Sequence, residues 1–180
     1  TWVGGAVIAD VIEVTNPDTG EVWMDRNLGA AQVATSITDA ESYGDLYQWG
    51  RGADGHQLRT SSITVTLSTL DTPEHGDFIL ATSSPYDWRS PQNGTLWQGL
   101  NGANNPCPSG YRLPTETELN EERLSWSSND DAGAFASPLK LPVAGSRSNS
   151  DGSLGSAGSY GSYWSSTLNS TLSRSLFFFS

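Results

Sequence analysis

Few side chains in this 180-residue chain have the types and spacing that catalysis requires. Its one cysteine, Cys107, sits between two prolines, and its two histidines, His56 and His75, lie far apart in the sequence. A nucleophilic thiol needs a neighbouring base, and a histidine metal site needs several imidazoles close together. A single cysteine also excludes an internal disulfide and a cysteine-rich zinc site. We therefore predict a protein without enzymatic activity and without catalytic residues.

Carboxylate and amide oxygens offer two further kinds of chemistry. Glutamates occur at 116, 118, 121 and 122, at spacings that spread them around one predicted helix, whereas acid–base catalysis needs two carboxyl groups held across a pocket. The segments Asn129–Asp131 and Asn149–Gly152 cluster oxygens of the kind that bind Ca²⁺, but neither has the spacing of an EF-hand loop. We expect solvated turns there and no cofactor, with a structural Ca²⁺ ion as the alternative.

The formal charge of −11 is distributed unevenly. Residues 1–131 carry 19 acidic and 6 basic side chains, a net charge of −13, whereas residues 132–180 carry 1 acidic and 3 basic side chains, a net charge of +2. An acidic chain without clustered Lys and Arg is not expected to bind nucleic acid or an anionic membrane surface. The sequence has no apolar run long enough to span a membrane, so we predict no membrane insertion.

Hydrophobic alternation and turn residues predict short strands. A β-branched run over 7–14, a turn over 16–20 and a return over 21–25 indicate a hairpin. Further short strands are expected over 63–67, 139–144, 163–167 and 174–179.

Helix signals occur at two places. Thr38 or Asp39 can cap a helix that continues to about residue 50, and Thr115 with Glu118 forms a capping box for a helix over 115–126. Two helices in a chain of short strands and loops predict an α+β fold. The length fits one domain that covers residues 1–180.

Four motifs carry a resemblance to a known family: 22–30 (VWMDRNLGA), 43–51 (YGDLYQWGR), 107–115 (CPSGYRLPT) and 161–167 (GSYWSST). In this order and spacing they resemble the Fibrobacter succinogenes major paralogous domain family. The resemblance implies a C-type-lectin-like fold, related to variable proteins of diversity-generating retroelements, in which two helices flank twisted antiparallel sheets. It also implies that the C-terminal third, here residues 131–180, builds a ligand-binding face.

The resemblance carries one expectation about the end of the fold. Similar members continue to a final strand whose cysteine would pair with the position of Cys107, and this sequence stops at Ser180 before such a strand. We therefore expect that the domain lacks its final strand, or that another segment or subunit supplies it.

The C-terminal segment mixes aromatic side chains with Ser and Gly, as antibody binding loops do. Strand alternation cannot turn three consecutive Phe rings to one side, so burial of Phe178 would expose Phe177 and Phe179. The predicted ligand-binding residues are Tyr160, Ser162, Tyr163, Leu168, Asn169, Leu172, Arg174, Phe177 and Phe179. Three interpretations stay open: a fixed binding face, a face diversified at positions such as Leu168 and Phe177, and a surface loop.

These observations predict an extracellular recognition module without enzymatic activity. A cell-surface adhesin or a phage tail-fibre domain would use the C-terminal face to bind a protein or glycan ligand on another cell or particle. The alternative is a structural subunit of an extracellular filament, a homo-oligomer assembled through the C-terminal strand.

Overall fold

Strands and helices are short and are separated by long loops in the computed structural model, which describes residues 11–180. The strands are β1 (Glu13–Thr15), β2 (Val22–Met24), β3 (Ile63–Thr64), β4 (Phe78–Ile79), β5 (Ser146–Arg147), β6 (Leu154–Gly155), β7 (Tyr160–Asn169) and β8 (Leu172–Phe179); the helices are α1 (Glu116–Leu124) and α2 (Asp131–Ala136). Consecutive strands pair into four two-stranded sheets, antiparallel except for β3–β4. The fold belongs to the α+β class, as predicted.

The predicted N-terminal hairpin is confirmed over β1 and β2. Glu13 pairs with Met24, and the turn closes where the Gly20 N–H donates to the Asn16 carbonyl at 2.8 Å. Gly20 has φ of 78°, which a residue without Cβ adopts at little cost. Residues 7–10 of the predicted first strand lie outside the described residues.

The capping box before α1 is also confirmed. The Thr115 hydroxyl accepts from the Glu118 N–H, while the Glu118 carboxylate accepts from the Thr115 N–H at 2.8 Å. The helix buries Leu119 and Glu122 and leaves Glu121 exposed. The capping box therefore fixes the residue at which α1 begins and, with it, the side of the helix that is buried.

The predicted helix over 38–50 is wrong. Asp39 does act as an N-cap, but the helical segment is a single 3₁₀ turn over Ala40–Ser42. Gly44 then takes φ of 66° with its Cα against the Leu28 carbonyl, and the Asp45 N–H donates to that carbonyl at 2.9 Å. The Leu28 carbonyl, distant in the sequence, thus accepts the hydrogen bond that a carbonyl of the preceding turn would accept if the helix continued.

The region 129–144 also differs from the prediction. Asp130, expected in a turn, caps α2 by accepting from the Gly133 N–H at 2.9 Å. The strand expected over 139–144 is absent from the described structure, although Leu139, Leu141 and Val143 are buried as its alternation required. Their segment packs as an irregular chain into the core.

The main core joins the β1–β2 and β7–β8 hairpins to the helices. Its buried members are Leu119, Trp126, Ala134, Leu139, Leu141, Val143, Leu176 and Phe178. Val14 and Trp23 of the N-terminal hairpin pack against it, so strands from both ends of the sequence meet in one core. A second, smaller cluster of Ile79, Trp88 and Leu96 lies under the loops.

A buried carboxylate connects α1 to the N-terminal turn. Glu122 is fully buried, and its two oxygens accept from the Asn16 side-chain amide at 2.6 Å and from the Trp126 indole N–H at 3.0 Å. Asn16 is also fully buried and donates to the Ser125 hydroxyl at 2.9 Å. A polar group removed from water needs such partners, so the position of the turn and that of the helix depend on each other.

Removing this acceptor should destabilise the fold strongly. Glu122→Ala leaves the buried N–H groups of Asn16 and Trp126 without partners, and we expect the free energy of unfolding to fall by about 2–4 kcal/mol. Urea unfolding followed by Trp fluorescence measures the loss. The matched control is Glu121→Ala on the exposed side of the same helix, where we expect a change within about 0.5 kcal/mol. Equal losses in the two variants would contradict the role of the network.

Candidate functional site

The candidate site lies on the hairpin formed by β7 and β8. The two strands pair with Tyr160 opposite Phe179 and Ser162 opposite Phe177, and the register shifts at a bulge between Trp164 and Leu168. Phe178 is 2% exposed, whereas Phe177 and Phe179 are each 56% exposed. The predicted alternation of the three Phe rings is confirmed.

The inner side of this hairpin is packed tightly around Phe178. Its ring contacts Trp126 edge-on at 5.3 Å and stacks on Tyr163 at 5.9 Å. Across the strands it lies over Gly161, where a Cβ would come within 2.4 Å of the ring. The absence of a side chain at Gly161 therefore makes the space that Phe178 fills.

Three neighbouring aromatic rings lie on the outer side, with those of Phe177 and Phe179 exposed and that of Tyr160 half-buried. The Tyr160 ring lies 5.0 Å from that of Phe179, which lies 6.0 Å from that of Phe177. We call Tyr160, Phe177 and Phe179 the aromatic patch. Ser162, opposite Phe177 in the register, is half-buried beside it. Four of the nine predicted ligand-binding residues are thus brought together.

Tyr163, which the sequence predicted to bind ligand, is partly buried and packs against the core. Its hydroxyl donates to the Pro142 carbonyl at 2.7 Å and accepts from the Asn27 amide at 3.4 Å. Burial raises the pKa of this phenol above its ordinary value. Because Tyr163 is one residue out of phase with Ser162, the pleat turns it inward.

Arg174 is engaged in an ion pair. Its guanidinium donates to Glu116, in the first turn of α1, at 2.7 Å, and alternation places it on the opposite side of β8 from Phe177. This ion pair attaches the hairpin to α1. The contact that the structure shows for Arg174 is therefore one within the chain.

The remaining predicted residues lie at the tip of the hairpin. Leu172 is 61% exposed, Asn169 is exposed beside the turn, and Ser170 in the turn has φ of 59°. Leu168 is half-buried and packs close to Gly94. The bulge separates this group from the aromatic patch.

A cavity of about 790 Å³, which the sequence did not predict, runs beside β7. Its walls include Trp23, Tyr47, Trp49 and Trp164, and the indole N–H groups of Trp164 and Trp49 donate to the carbonyls of Tyr47 and Ser165 at 2.8 and 2.9 Å. The Trp23 indole N–H is buried with no hydrogen-bond partner among the described residues. Many loops and strands that are far apart in the sequence supply the walls, so no local sequence signal could have revealed it.

Cys107 lies on the wall of this cavity, and burial raises the pKa of its thiol to about 11. The thiol is therefore protonated at neutral pH. It is not activated as a nucleophile by its surroundings.

The acidic turns considered for Ca²⁺ use their oxygens internally. Asp130 accepts from the Ser128 hydroxyl at 2.6 Å in addition to capping α2, and Asp151 accepts from the Ser153 N–H at 3.0 Å. Among residues 11–180 no group of three or more His, Cys, Asp or Glu side chains could hold a metal ion.

His56 and Asp54 form a buried acid–base pair. The Gln48 N–H donates to His56 Nε2 at 3.0 Å, so the proton lies on Nδ1, 2.7 Å from an Asp54 oxygen. Burial lowers the pKa of His56 below its ordinary value. Burial alone would raise the pKa of Asp54, but hydrogen bonds from His56 and Arg51 lower it to about 2. Both ring nitrogens of a fully buried histidine are occupied, which indicates a structural role.

Comparison of the chain with protein-family models, curated proteins and solved structures finds no match. Within the part of the chain that the structure describes, no helix has the length and apolar character needed to cross a membrane. The hairpin and the cavity are therefore the features of the molecule that bear on its function.

The close approach of Phe178 to Gly161 can be tested by adding one methyl group. Gly161→Ala should lower the free energy of unfolding by about 1–3 kcal/mol, because the ring must move within a packed core. Thermal unfolding measures the effect. Gly155→Ala, where a Cβ would meet nothing within 4 Å, is the control and should be nearly neutral. A neutral Gly161→Ala would show that the inner side tolerates a shift of Phe178.

The buried His56 should make the fold sensitive to mild acid. Its folded pKa lies below the ordinary 6.5, so at lower pH the unfolded chain binds a proton that the folded chain does not. Its contribution to stability is therefore complete above the ordinary pKa and is lost as the pH falls through that value toward the lower folded pKa, at up to about 1.4 kcal/mol per pH unit.

Urea unfolding at several pH values measures this dependence. His56→Gln should flatten the slope between about pH 7 and 5 relative to the unmodified chain. His75→Gln, at an exposed histidine, should keep it. If both variants kept the slope, His56 would not be its source.

Proposed function

We propose that this chain is a recognition module without enzymatic activity that binds a protein or glycan ligand through the outer side of the β7–β8 hairpin. The observation that carries the proposal is the aromatic patch, in which two neighbouring Phe rings are each 56% exposed. Exposed rings grouped on one side of a strand pair commonly mark an interaction site. Tyr and Phe offer a large contact area at a low entropic cost.

The support behind the patch favours recognition. Phe178 and Tyr163 fill the inner side, and Arg174 attaches β8 to α1. Such a backing keeps the outer rings in place before a ligand arrives, which lowers the entropic cost of binding. The patch is bordered by the hydroxyl group of Ser162, which can add a polar contact.

The proposed function goes together with a C-type-lectin-like fold and an extracellular location. We infer a C-type-lectin-like arrangement, supported by the packing of both hairpins against α1 and α2 in one core. Display outside the cell, on a cell surface or a virion, is consistent with acidic residues concentrated before position 132 and a nearly uncharged terminal segment. Under this proposal the chain acts without a cofactor and does not bind nucleic acid.

Binding to arrays of glycans and of random peptides tests the proposed function. The double variant Phe177→Ser/Phe179→Ser should lose about tenfold or more in affinity for whatever the unmodified chain binds, because it removes the two largest exposed rings. The matched control is Leu70→Ser/Leu154→Ser, which removes two side chains of 52% and 49% exposure outside the hairpin. Equal retention in both variants, or an unmodified chain that binds neither array, would contradict the proposal.

A further inference from the structure

The outer edge of β8 carries backbone groups that no described residue pairs. The Ser180 N–H donates to the Ser159 carbonyl at 3.2 Å, so this pair faces inward across the hairpin. In an antiparallel ladder the inward and outward pairs alternate, which directs the N–H and C=O groups of Ser175, Phe177 and Phe179 away from β7. The Tyr160 carbonyl, opposite Phe179, agrees with this phase because it accepts from the Gly145 N–H, outside the hairpin, at 2.8 Å.

This edge lacks the features that usually prevent strand pairing. Natural edge strands carry charges or proline, are very short, are twisted away by a bulge, or are covered by a helix or loop. β8 has eight residues, Leu176–Phe179 contains no charge and no proline, and the bulge lies toward the other end, between Trp164 and Leu168 of β7. A space of about 560 Å³ lies beside this edge, between β8 and the α1 side chains Asn120 and Arg123. Among the described residues no group of α1 hydrogen-bonds to the β8 backbone across this space, so an incoming strand has free backbone partners.

The charge distribution favours a second copy of this chain as the partner. The charged side chains that line the space beside this edge are Glu116, which pairs with Arg174, and Arg123, so two copies would not bring a concentration of negative charge together there. β8 itself has one charged side chain, Arg174, which is already paired with Glu116. The outward-facing backbone groups of one copy can also pair with those of the other. An antiparallel contact centred on Phe177 places Ser175 of one copy opposite Phe179 of the second.

We propose that two copies associate through their β8 edges, antiparallel and close to Phe177, into a four-stranded sheet with a two-fold axis. The contact is closed, since each edge is used once, and this distinguishes it from a filament. The two aromatic patches would lie on the same side of the joined sheet. The chain would then be a bivalent module, and this last consequence alone rests on the proposed function.

Sedimentation velocity of the full chain, without any ligand, tests the dimer. The unmodified chain should be a dimer at micromolar concentration. Ser175→Pro removes an outward N–H that the hairpin does not use and puts the proline ring in the path of the second strand, so dimerisation should weaken about tenfold or more. Leu172→Ser is the control: it removes an exposed apolar side chain at the tip and should leave the dimer intact.

A second variant covers the case in which Ser175→Pro fails to fold. Phe177→Lys retains the backbone and brings two like charges together at the two-fold axis, so it should also yield monomers with an unchanged far-ultraviolet circular dichroism spectrum. A monomeric unmodified chain, open-ended polymers, or a dimer unaffected by either folded variant would overturn the inference. Because no ligand is present, these outcomes are separate from those of the array experiment.

Discussion

Burial of Phe178 is the contact on which the candidate site depends. The ring occupies the space above Gly161, between Trp126 and Tyr163, and this position fixes the phase of β8. A strand turns alternate side chains to opposite sides, so burying Phe178 requires Phe177 and Phe179 to face outward. A slip of one residue would bury two Phe rings in a space shaped for one, and the packed core resists that change. Exposure of the aromatic patch is thus the structural consequence of an interior contact.

Arginine side chains hold the long loops where secondary structure is sparse. Arg51 is fully buried and donates to Asp54, Gln48 and the carbonyls of Asp77 and His75, which connects the segment around 50 to that around 76. Arg147 donates to Ser61 and Gly152 in the same manner. A planar guanidinium with several donors can satisfy carbonyls that no strand pairs. The chain has eight arginines and one lysine, and Arg51 and Arg147 use the donors of the guanidinium in this way.

Sequence reasoning succeeded where the signal was local. The capping box of α1, the Asn16–Gly20 turn and the alternation around Phe178 all depend on residues within a few positions of one another. It failed where distant contacts decide the structure. The helix expected after Asp39 ends because Gly44 meets Leu28. Tyr163 was grouped with the ligand-binding residues because composition alone does not give the phase of a strand. The cavity beside β7 has walls from loops far apart in the sequence.

The division of charge in the chain has a physical consequence for both proposed contacts. Acidic side chains lie in the scaffold, and two of them, Asp54 and Glu122, serve as acceptors for buried donors. β7 and β8 together carry one charged side chain, and that one is paired with Glu116. Contact with the hairpin strands therefore avoids most of the desolvation cost of charges. A ligand on the aromatic patch and a second copy on the β8 edge use different parts of the same strand, side chains in one case and backbone in the other. The hairpin can accommodate the ligand and the second copy together, because side chains and backbone hydrogen-bonding groups point in different directions from a strand.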